Sequence, residues 1–224
     1  MIRHPDALVF DFDGLILDTE TSSFTTAADV FRAHGVELSR SWWSGIIGTA
    51  EHPHWSEILE AELGHPIPDR EAVLAQRVAR HRDLVAVEAV RPGVVELLEQ
   101  TAAAGVPAAI ASSSPVAWVQ GHLERLEVEW RFTVMKCREH VTRTKPAPDL
   151  YLEACAALGA DPRRSVALED SPNGVAAAKA AGLVCVAVPG PMTEGTDLSA
   201  ADLVVRSLAE VSLDRLGSLV AERL

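Results

Sequence analysis

Short apolar runs alternate with segments of helical periodicity throughout the second half of this chain. Five of these runs are predicted strands, at 106–111, 132–135, 165–168, 183–188 and 203–205. The helices predicted between and around them span 94–104, 116–126, 150–158 and 174–180, with one more at the C-terminal end. A helix between two strands returns the chain to the end of the sheet at which the first strand began, so this alternation is typical of parallel strands.

The segment before residue 94 has a different pattern. One apolar run, 7–12, predicts a further strand, and helical spacing then dominates at 24–31, 55–63 and 72–87. We therefore predict an α/β fold with a doubly wound, Rossmann-like parallel sheet core and a helical cap domain inserted after the first strand. The predicted boundaries are 1–16 and 89–224 for the core and 17–88 for the cap.

The charge and composition narrow the possible partners. The 224 residues carry a net charge of −12, which repels nucleic-acid backbones, so we expect no nucleic-acid partner. The N-terminal segment lacks both a signal-peptide pattern and a membrane-length apolar run, so no membrane partner is expected. Three scattered cysteines favour a reducing compartment over a disulfide framework. The expectation is a cytoplasmic monomer that handles a small molecule.

Two carboxylates follow the first predicted strand in the segment Asp11-Phe12-Asp13-Gly14. Side chains alternate along an extended backbone, so Asp11 and Asp13 are expected on one side and Phe12 in the core. Open α/β sheets bind ligands at the carboxyl ends of their strands. Because a hard divalent cation relieves the repulsion between neighbouring carboxylates, this segment predicts a magnesium site.

Three later polar features also lie at strand ends or in stiff loops. Ser112 stands just past the second strand, where its hydroxyl and free backbone N–H groups can bind an anion. Lys145, one of only three lysines among 20 basic residues, is followed by Pro146 and Pro148, which stiffen its loop, and Glu169 and Asp170 follow the strand at 165–168. A helix cap, a surface lysine and helix-terminal acids would explain each feature alone. Their common placement favours one site for a cation and a phosphate.

Four segments together resemble the motifs of the haloacid dehalogenase superfamily of phosphohydrolases, especially the branch of β-phosphoglucomutase and the sugar phosphatases. They are Asp11–Glu20, Ala111–Ser113, Lys145–Asp149 and Leu168–Gly174. The predicted helical insertion has the position of that family's cap. The resemblance covers almost the whole chain and is highly specific in the core, whereas it is weak in the cap.

The resemblance implies a phosphoric monoester hydrolase with a Mg²⁺ cofactor and a small phosphorylated substrate, such as a sugar or polyol phosphate. Asp11 would attack phosphorus and form an aspartyl phosphate, and Asp13 would act as the acid and base. The implied catalytic residues are Asp11, Asp13, Ser112 and Lys145. The implied metal ligands are Asp11, the Asp13 carbonyl, Glu169 and Asp170. The implied substrate contacts are Gly14, Thr49, Ser112, Ser113 and Lys145.

Other members of the superfamily have different activities, and residues at the motif and cap positions distinguish them from a phosphatase. Dehalogenases lack the second aspartate of the first motif, which is present here as Asp13. A phosphonatase needs a cap lysine for a Schiff base, and no lysine precedes residue 136. A catalytically silent binding protein on this fold would have lost Asp11 or Asp13. None of these three alternatives is favoured.

A mutase of the β-phosphoglucomutase kind is the main alternative. In that likeness a His follows the first motif and a Lys-Asn pair follows the second. The corresponding stretches here, 18–23 and 114–116, read Asp-Thr-Glu-Thr-Ser-Ser and Ser-Pro-Val. Since both features are absent, we favour a phosphatase over a mutase.

The cap sequence leaves the substrate open. Thr49 lies in a Gly-rich segment that resembles the family's specificity loop, where several relatives carry a charged or bulkier residue. Trp42 and Trp43 are predicted to pack the cap, since tryptophan buries a large apolar area. His52 and His54 have no third metal ligand nearby in sequence, so a surface loop is predicted for them.

Overall fold

The computed structural model describes residues 4–223, and a six-stranded parallel sheet forms its centre. The strands are β1 (Leu8–Phe10), β2 (Ala108–Ala111), β3 (Val134–Lys136), β4 (Val166–Glu169), β5 (Val184–Ala187) and β6 (Leu203–Val204). Their order across the sheet is β3-β2-β1-β4-β5-β6. The first strand is therefore central, and the strands that carry the second and fourth motifs lie on either side of it.

Both faces of the sheet are covered, which explains why the strands are apolar throughout. Leu8 and Phe10 pack into one hydrophobic cluster, and Val9 between them packs into another on the opposite face. Five helices follow the cap segment along the chain and cover the sheet. They are α5 (Val94–Ala104), α6 (Val116–Arg125), α7 (Asp149–Leu158), α8 (Pro172–Ala180) and α9 (Leu213–Arg223).

The insertion after β1 is helical, as predicted. It contains α1 (Glu20–Ala33), α2 (Arg40–Ile46), α3 (Trp55–Leu63) and α4 (Arg70–Ala86). These helices enclose a separate hydrophobic cluster, in which Phe31, Trp43, Trp55 and Leu59 are buried. The predicted fold class is confirmed, and the boundaries 17–88 stay a prediction. Residues 1–3 and 224 of the predicted core lie outside the described residues.

Several polar contacts join the cap to the core above the sheet edge. The Ser113 hydroxyl donates to the Gly48 carbonyl oxygen at 2.8 Å, and the Asn173 amide donates to the Ile47 carbonyl oxygen at 2.8 Å. The Ser44 hydroxyl donates to the Met192 carbonyl oxygen at 2.7 Å. The cap is thus closed over the carboxyl ends of β1, β2 and β4.

The predicted strands and helices of the second half all exist, and their ends differ from the prediction by at most two residues. Within residues 4–223, the helices fall short of the length and apolar character that a membrane crossing demands.

A close backbone approach at the start of α5 yields the first prediction. Gly93 has φ +87°, and a Cβ there would lie 2.0 Å from the Ala209 nitrogen. Gly93→Ala should lower the free energy of unfolding by about 2–4 kcal/mol. An alanine is strained in the left-handed backbone conformation at this position, and its Cβ would displace the backbone at Ala209. Gly105→Ala is the matched control, since Gly105 has φ +68° and a Cβ added to it would meet nothing within 4 Å. Equal losses for the two variants in urea denaturation would contradict the steric argument.

Candidate active site

The central strands bring three functional positions to one edge of the sheet. Asp11 follows β1 and is buried, and its N–H donates to the Leu168 carbonyl oxygen at 2.9 Å. Ser112 follows β2, and Glu169 is the last residue of β4. Because β1 pairs in parallel with both β2 and β4, these ends meet at the same edge.

Lys145 is fully buried, which excludes the surface-loop explanation. Its Nζ donates to Asp11 Oδ1 at 2.5 Å and to Glu169 Oε1 at 2.6 Å. Burial disfavours the ammonium form, but the carboxylates of Asp11 and Glu169 outweigh that effect and raise the pKa of Lys145 above its usual value. Lys145 is thus a fixed cation beside the predicted nucleophile.

Both oxygens of Glu169 are occupied by hydrogen-bond donors. Oε1 accepts from Lys145 and from the Tyr151 hydroxyl at 2.5 Å, and Oε2 accepts from the Asp170 N–H at 3.1 Å and the Ser171 hydroxyl at 3.3 Å. Gly174 leaves the room for this, because a Cβ there would lie 1.9 Å from Glu169 Oε2. Glu169 is therefore held rigidly against Lys145.

Asp170 differs from Glu169 in having an unused oxygen. Its Oδ1 is buried and has no hydrogen-bond partner among the described residues. One carboxylate oxygen from each of Asp11, Glu169 and Asp170 can be chosen so that all three lie within 4.8 Å of one another. Gly14 makes room beside them, because a Cβ on it would lie 2.0 Å from Asp170 Oδ2. An orphaned carboxylate oxygen within a carboxylate cluster fits a hard divalent cation.

The acidic cluster also affects proton affinity. Burial, opposed by the Lys145 charge and reinforced by Glu169, raises the pKa of Asp11 to about 8. Burial and the neighbouring carboxylates Asp11 and Glu169 raise the pKa of Asp170 well above its usual value. A bound cation would favour the ionised forms of both groups, which is the form that a nucleophile requires.

Asp13 lies outside this cluster and faces the cap. Its Oδ1 accepts from the Thr19 hydroxyl and the Trp118 indole N–H, each at 2.8 Å. Its Oδ2 accepts from the Ser114 hydroxyl at 2.6 Å and the Ser112 hydroxyl at 3.4 Å. The carboxylate is thus held by four donors and lines a cavity at the boundary of cap and core. Its predicted metal contact, through the main-chain carbonyl, stays a prediction.

Two adjoining cavities lead from Asp13 into the cap. One, of about 260 Å³, is lined by Asp13, Thr19, Glu20, Ser23, His81, Ser114 and Trp118. The next, of about 250 Å³, shares Glu20 and Ser23 and extends to Thr49, His52, His54 and Arg77. Burial and the nearby Asp13 charge raise the pKa of Glu20 to about 7. The space beyond the catalytic edge is thus polar and large enough for a small leaving group.

The cap residues singled out from the sequence have different surroundings in the structure. Trp43 is buried and contacts the neighbouring Trp42 ring edge-on at 6.2 Å between centroids. His54 caps the start of α3, where its ring nitrogen accepts from the Ser56 N–H, and the His52 ring is within 2.8 Å of the Pro53 carbonyl oxygen. Thr49 lines the second cavity, although its hydroxyl accepts from the Glu51 N–H.

The predicted phosphate-binding residues are placed differently from one another. The Ser112 hydroxyl accepts from the Ser114 N–H at 3.0 Å and also faces Asp13. The Ser113 side chain instead contacts the cap. The Gly14 carbonyl oxygen accepts from the Arg91 guanidinium, which also donates to Pro189. Gly14 is therefore a turn residue held by Arg91 next to the acidic cluster.

Several site residues escaped the sequence prediction. They are Thr19, Glu20, Arg77, Arg91, Ser114, Trp118 and Tyr151. Thr19 and Glu20 fall within the first motif and Ser114 within the serine run, so the motifs could have indicated them. Trp118 and Tyr151 lie on helices at positions that are indistinguishable from core packing. Only the tertiary structure shows that their polar atoms contact Asp13 and Glu169.

A family profile of the haloacid dehalogenase-like hydrolases matches residues 8–188. This match spans most of the chain, so the chain belongs to that family, as its four motifs predicted. The enzyme class predicted from the sequence, phosphoric monoester hydrolase, is confirmed by the family and by the phosphatases among its relatives.

Three similar proteins illustrate the match. The Bacillus subtilis protein YhcW is 39% identical over 207 residues, 92% of this chain and 94% of YhcW. Hexitol phosphatase B of Escherichia coli is 31% identical over 214 residues, 94% of this chain and 96% of that protein. The crystal structure of CbbY from Rhodobacter sphaeroides in complex with phosphate has a TM-score of 0.70 at 30% identity, covering 92% of this chain and 96% of CbbY.

The buried lysine generates the second prediction. Lys145→Arg should reduce kcat/KM for a phosphate monoester by at least about tenfold, because the wider guanidinium cannot take the place of a compact ammonium between Asp11 and Glu169. Lys136→Arg is the matched control, since Lys136 pairs only loosely with Glu153, at 3.6 Å. Near-normal kinetics for Lys145→Arg would show that the Lys145 ammonium is not required for catalysis.

Proposed function

We propose that this phosphatase is Mg²⁺-dependent and hydrolyses a small sugar or polyol phosphate through an aspartyl phosphate on Asp11. One observation carries the proposal. The predicted nucleophile is buried against the ammonium of Lys145 and grouped with Asp170, whose Oδ1 has no hydrogen-bond partner within residues 4–223. This arrangement supports attack on a phosphoryl group whose negative charge is neutralised by Lys145 on one side and by a cation bound at Asp170 on the other.

The metal would be held by Asp11, Asp170 and the main-chain carbonyl of Asp13. When bound, Mg²⁺ neutralises negative charge on the transferring phosphoryl group. Glu169 already accepts hydrogen bonds from Lys145, Tyr151, the Asp170 N–H and the Ser171 hydroxyl, which supports a role in orienting Lys145. The carboxylate-rich donor set is the type that magnesium prefers.

The residues of this chain supply the remaining chemistry. Asp11 attacks phosphorus, while Ser112, the backbone N–H of Ser113 and Lys145 hold the other phosphoryl oxygens. Asp13 gives a proton to the leaving alkoxide as the P–O bond breaks. Asp13 then takes a proton from the water that attacks the aspartyl phosphate, which returns Asp11 to its free form.

Three observations support a sugar or polyol phosphate and water as the acceptor. Hexitol phosphatase B is a relative along almost its whole length. The cavities beyond Asp13 are lined by polar groups, including Glu20 and Arg77, that can bind hydroxyl groups. The stretch 18–23 lacks the His of the mutase likeness, and the stretch 114–116 lacks its Lys-Asn pair.

The function is tested with a panel of sugar, polyol and nucleotide phosphates, together with β-glucose 1-phosphate plus a trace of glucose 1,6-bisphosphate. We expect phosphate release from a sugar or polyol phosphate and no isomerisation, because water has access to the aspartyl phosphate. Rapid formation of glucose 6-phosphate with little free phosphate would establish the mutase instead.

The same assay tests the metal. EDTA should abolish turnover, and added Mg²⁺ should restore it. Ca²⁺ should bind but inhibit, because its larger and looser coordination shell misplaces the Asp11 carboxylate. Full activity in metal-free buffer would contradict the proposed cation site.

Covalent catalysis is tested at Asp11. Asp11→Asn should lower kcat by at least about 100-fold with the fold intact, because an amide has the same shape but cannot attack phosphorus. Asp6→Asn is the matched control, since Asp6 only pairs with Arg164 at the start of the sheet. An Asp11→Asn variant that keeps more than about a hundredth of the wild-type rate would show that Asp11 is not the nucleophile.

A further inference from the structure

Among the residues that the structure describes, Trp118 is the donor to Asp13 that lies within a core helix, in the first turn of α6. Its indole Nε1 donates to Asp13 Oδ1 at 2.8 Å, and Thr19 donates to the same oxygen at the same distance. The Ser114 and Ser112 hydroxyls face Oδ2. A carboxylate only accepts hydrogen bonds, so these donors together determine how the Asp13 plane is turned.

The donors differ in how firmly they are held. Hydroxyl groups rotate freely about their C–O bonds, whereas the indole N–H lies in the plane of a large ring and has one direction. The Trp118 ring is itself fixed on both sides. It stacks on His81 of α4 at 5.5 Å between centroids and meets His122 edge-on at 4.3 Å. Trp118 is therefore the rigid member of the set.

The two contacts of Trp118 join different parts of the molecule. His122 lies on the same core helix, α6, whereas His81 belongs to the cap helix α4. The indole thus lies where cap and core meet, and it lines the cavity that opens beside Asp13. Its N–H can keep this direction only while the ring stays between the two histidines.

We propose that Trp118 is a positioning residue that holds Asp13 in the orientation needed to protonate the leaving group. The inference rests on the proposed function, in which Asp13 is the general acid. Loss of the N–H should leave Asp13 present but loosely oriented. Only those reactions whose leaving group needs a proton in the transition state should then be slowed.

Substrates with different leaving groups separate this role from a structural one. The variant Trp118→Phe removes the N–H and keeps an aromatic ring against His81. We measure kcat/KM for p-nitrophenyl phosphate, phenyl phosphate and glycerol 2-phosphate, whose leaving groups are increasingly basic. This constant reports the steps up to formation of the aspartyl phosphate, so later water attack does not obscure the result.

We expect Trp118→Phe to lower kcat/KM about tenfold for glycerol 2-phosphate and less than about twofold for p-nitrophenyl phosphate, with phenyl phosphate between them. The inhibition constant of inorganic phosphate should not change, because the phosphate contacts are untouched. Trp130→Phe is the matched control. The Trp130 indole is exposed, and it donates to the Glu127 carbonyl oxygen far from the site. An equal loss on all three substrates, or no loss on any, would overturn the proposal.

Two further variants keep the outcome decisive. If Trp118→Phe does not fold, Trp118→Met fills the space without a donor and is measured in the same way. Asp13→Asn tests the underlying function separately. If Asp13→Asn discriminates between the leaving groups but the Trp118 variants do not, the positioning role alone is wrong. If Asp13→Asn matches the wild type on every substrate, Asp13 is not the acid and the proposed function fails with it.

Discussion

The buried contact of Lys145 with Asp11 and Glu169 is the interaction on which the rest of the site depends. Three carboxyl groups are removed from water at the sheet edge, and removing a charge from water is costly unless it is compensated. One ammonium compensates part of this charge. If all three acids are ionised, two negative charges remain, which one divalent cation would balance. The same cluster explains why Asp170 has an unused oxygen and why Gly14 and Gly174 have no room for a side chain.

The fold gives different surroundings to two aspartates that are only two residues apart. Asp11, the proposed nucleophile, lies just past the central strand, where it contacts Lys145 and is grouped with Glu169 and Asp170. Asp13 lies beyond the strand and is held by Thr19, Ser114 and Trp118 at the cap boundary. The cap contributes Glu20 and His81 to the lining of the cavity beside Asp13, so the proposed leaving group would be enclosed between cap and core.

Much of the core was predictable because short-range patterns determine it. Apolar runs and helical spacing identified the sheet, and four motifs located Asp11, Asp13, Ser112, Lys145 and the Glu169-Asp170 pair. The cap was less predictable. Its tryptophans and His54 stand out in the sequence but pack or cap helices, whereas Arg77 lines its cavity without a pattern of its own. Packing and binding use the same residue types there, so local spacing does not separate them.

The sequence by itself determined the α/β architecture, the inserted helices and the identity of the acids and lysine that make the chemistry possible, because periodicity and motif spacing are local properties. Only the tertiary structure decided which polar atoms meet. Lys145 and Asp11 are 134 residues apart and Trp118 and Asp13 are 105 apart, yet each pair is joined by a hydrogen bond. Contacts of that kind depend on strand order and helix placement, which no single segment of the chain encodes.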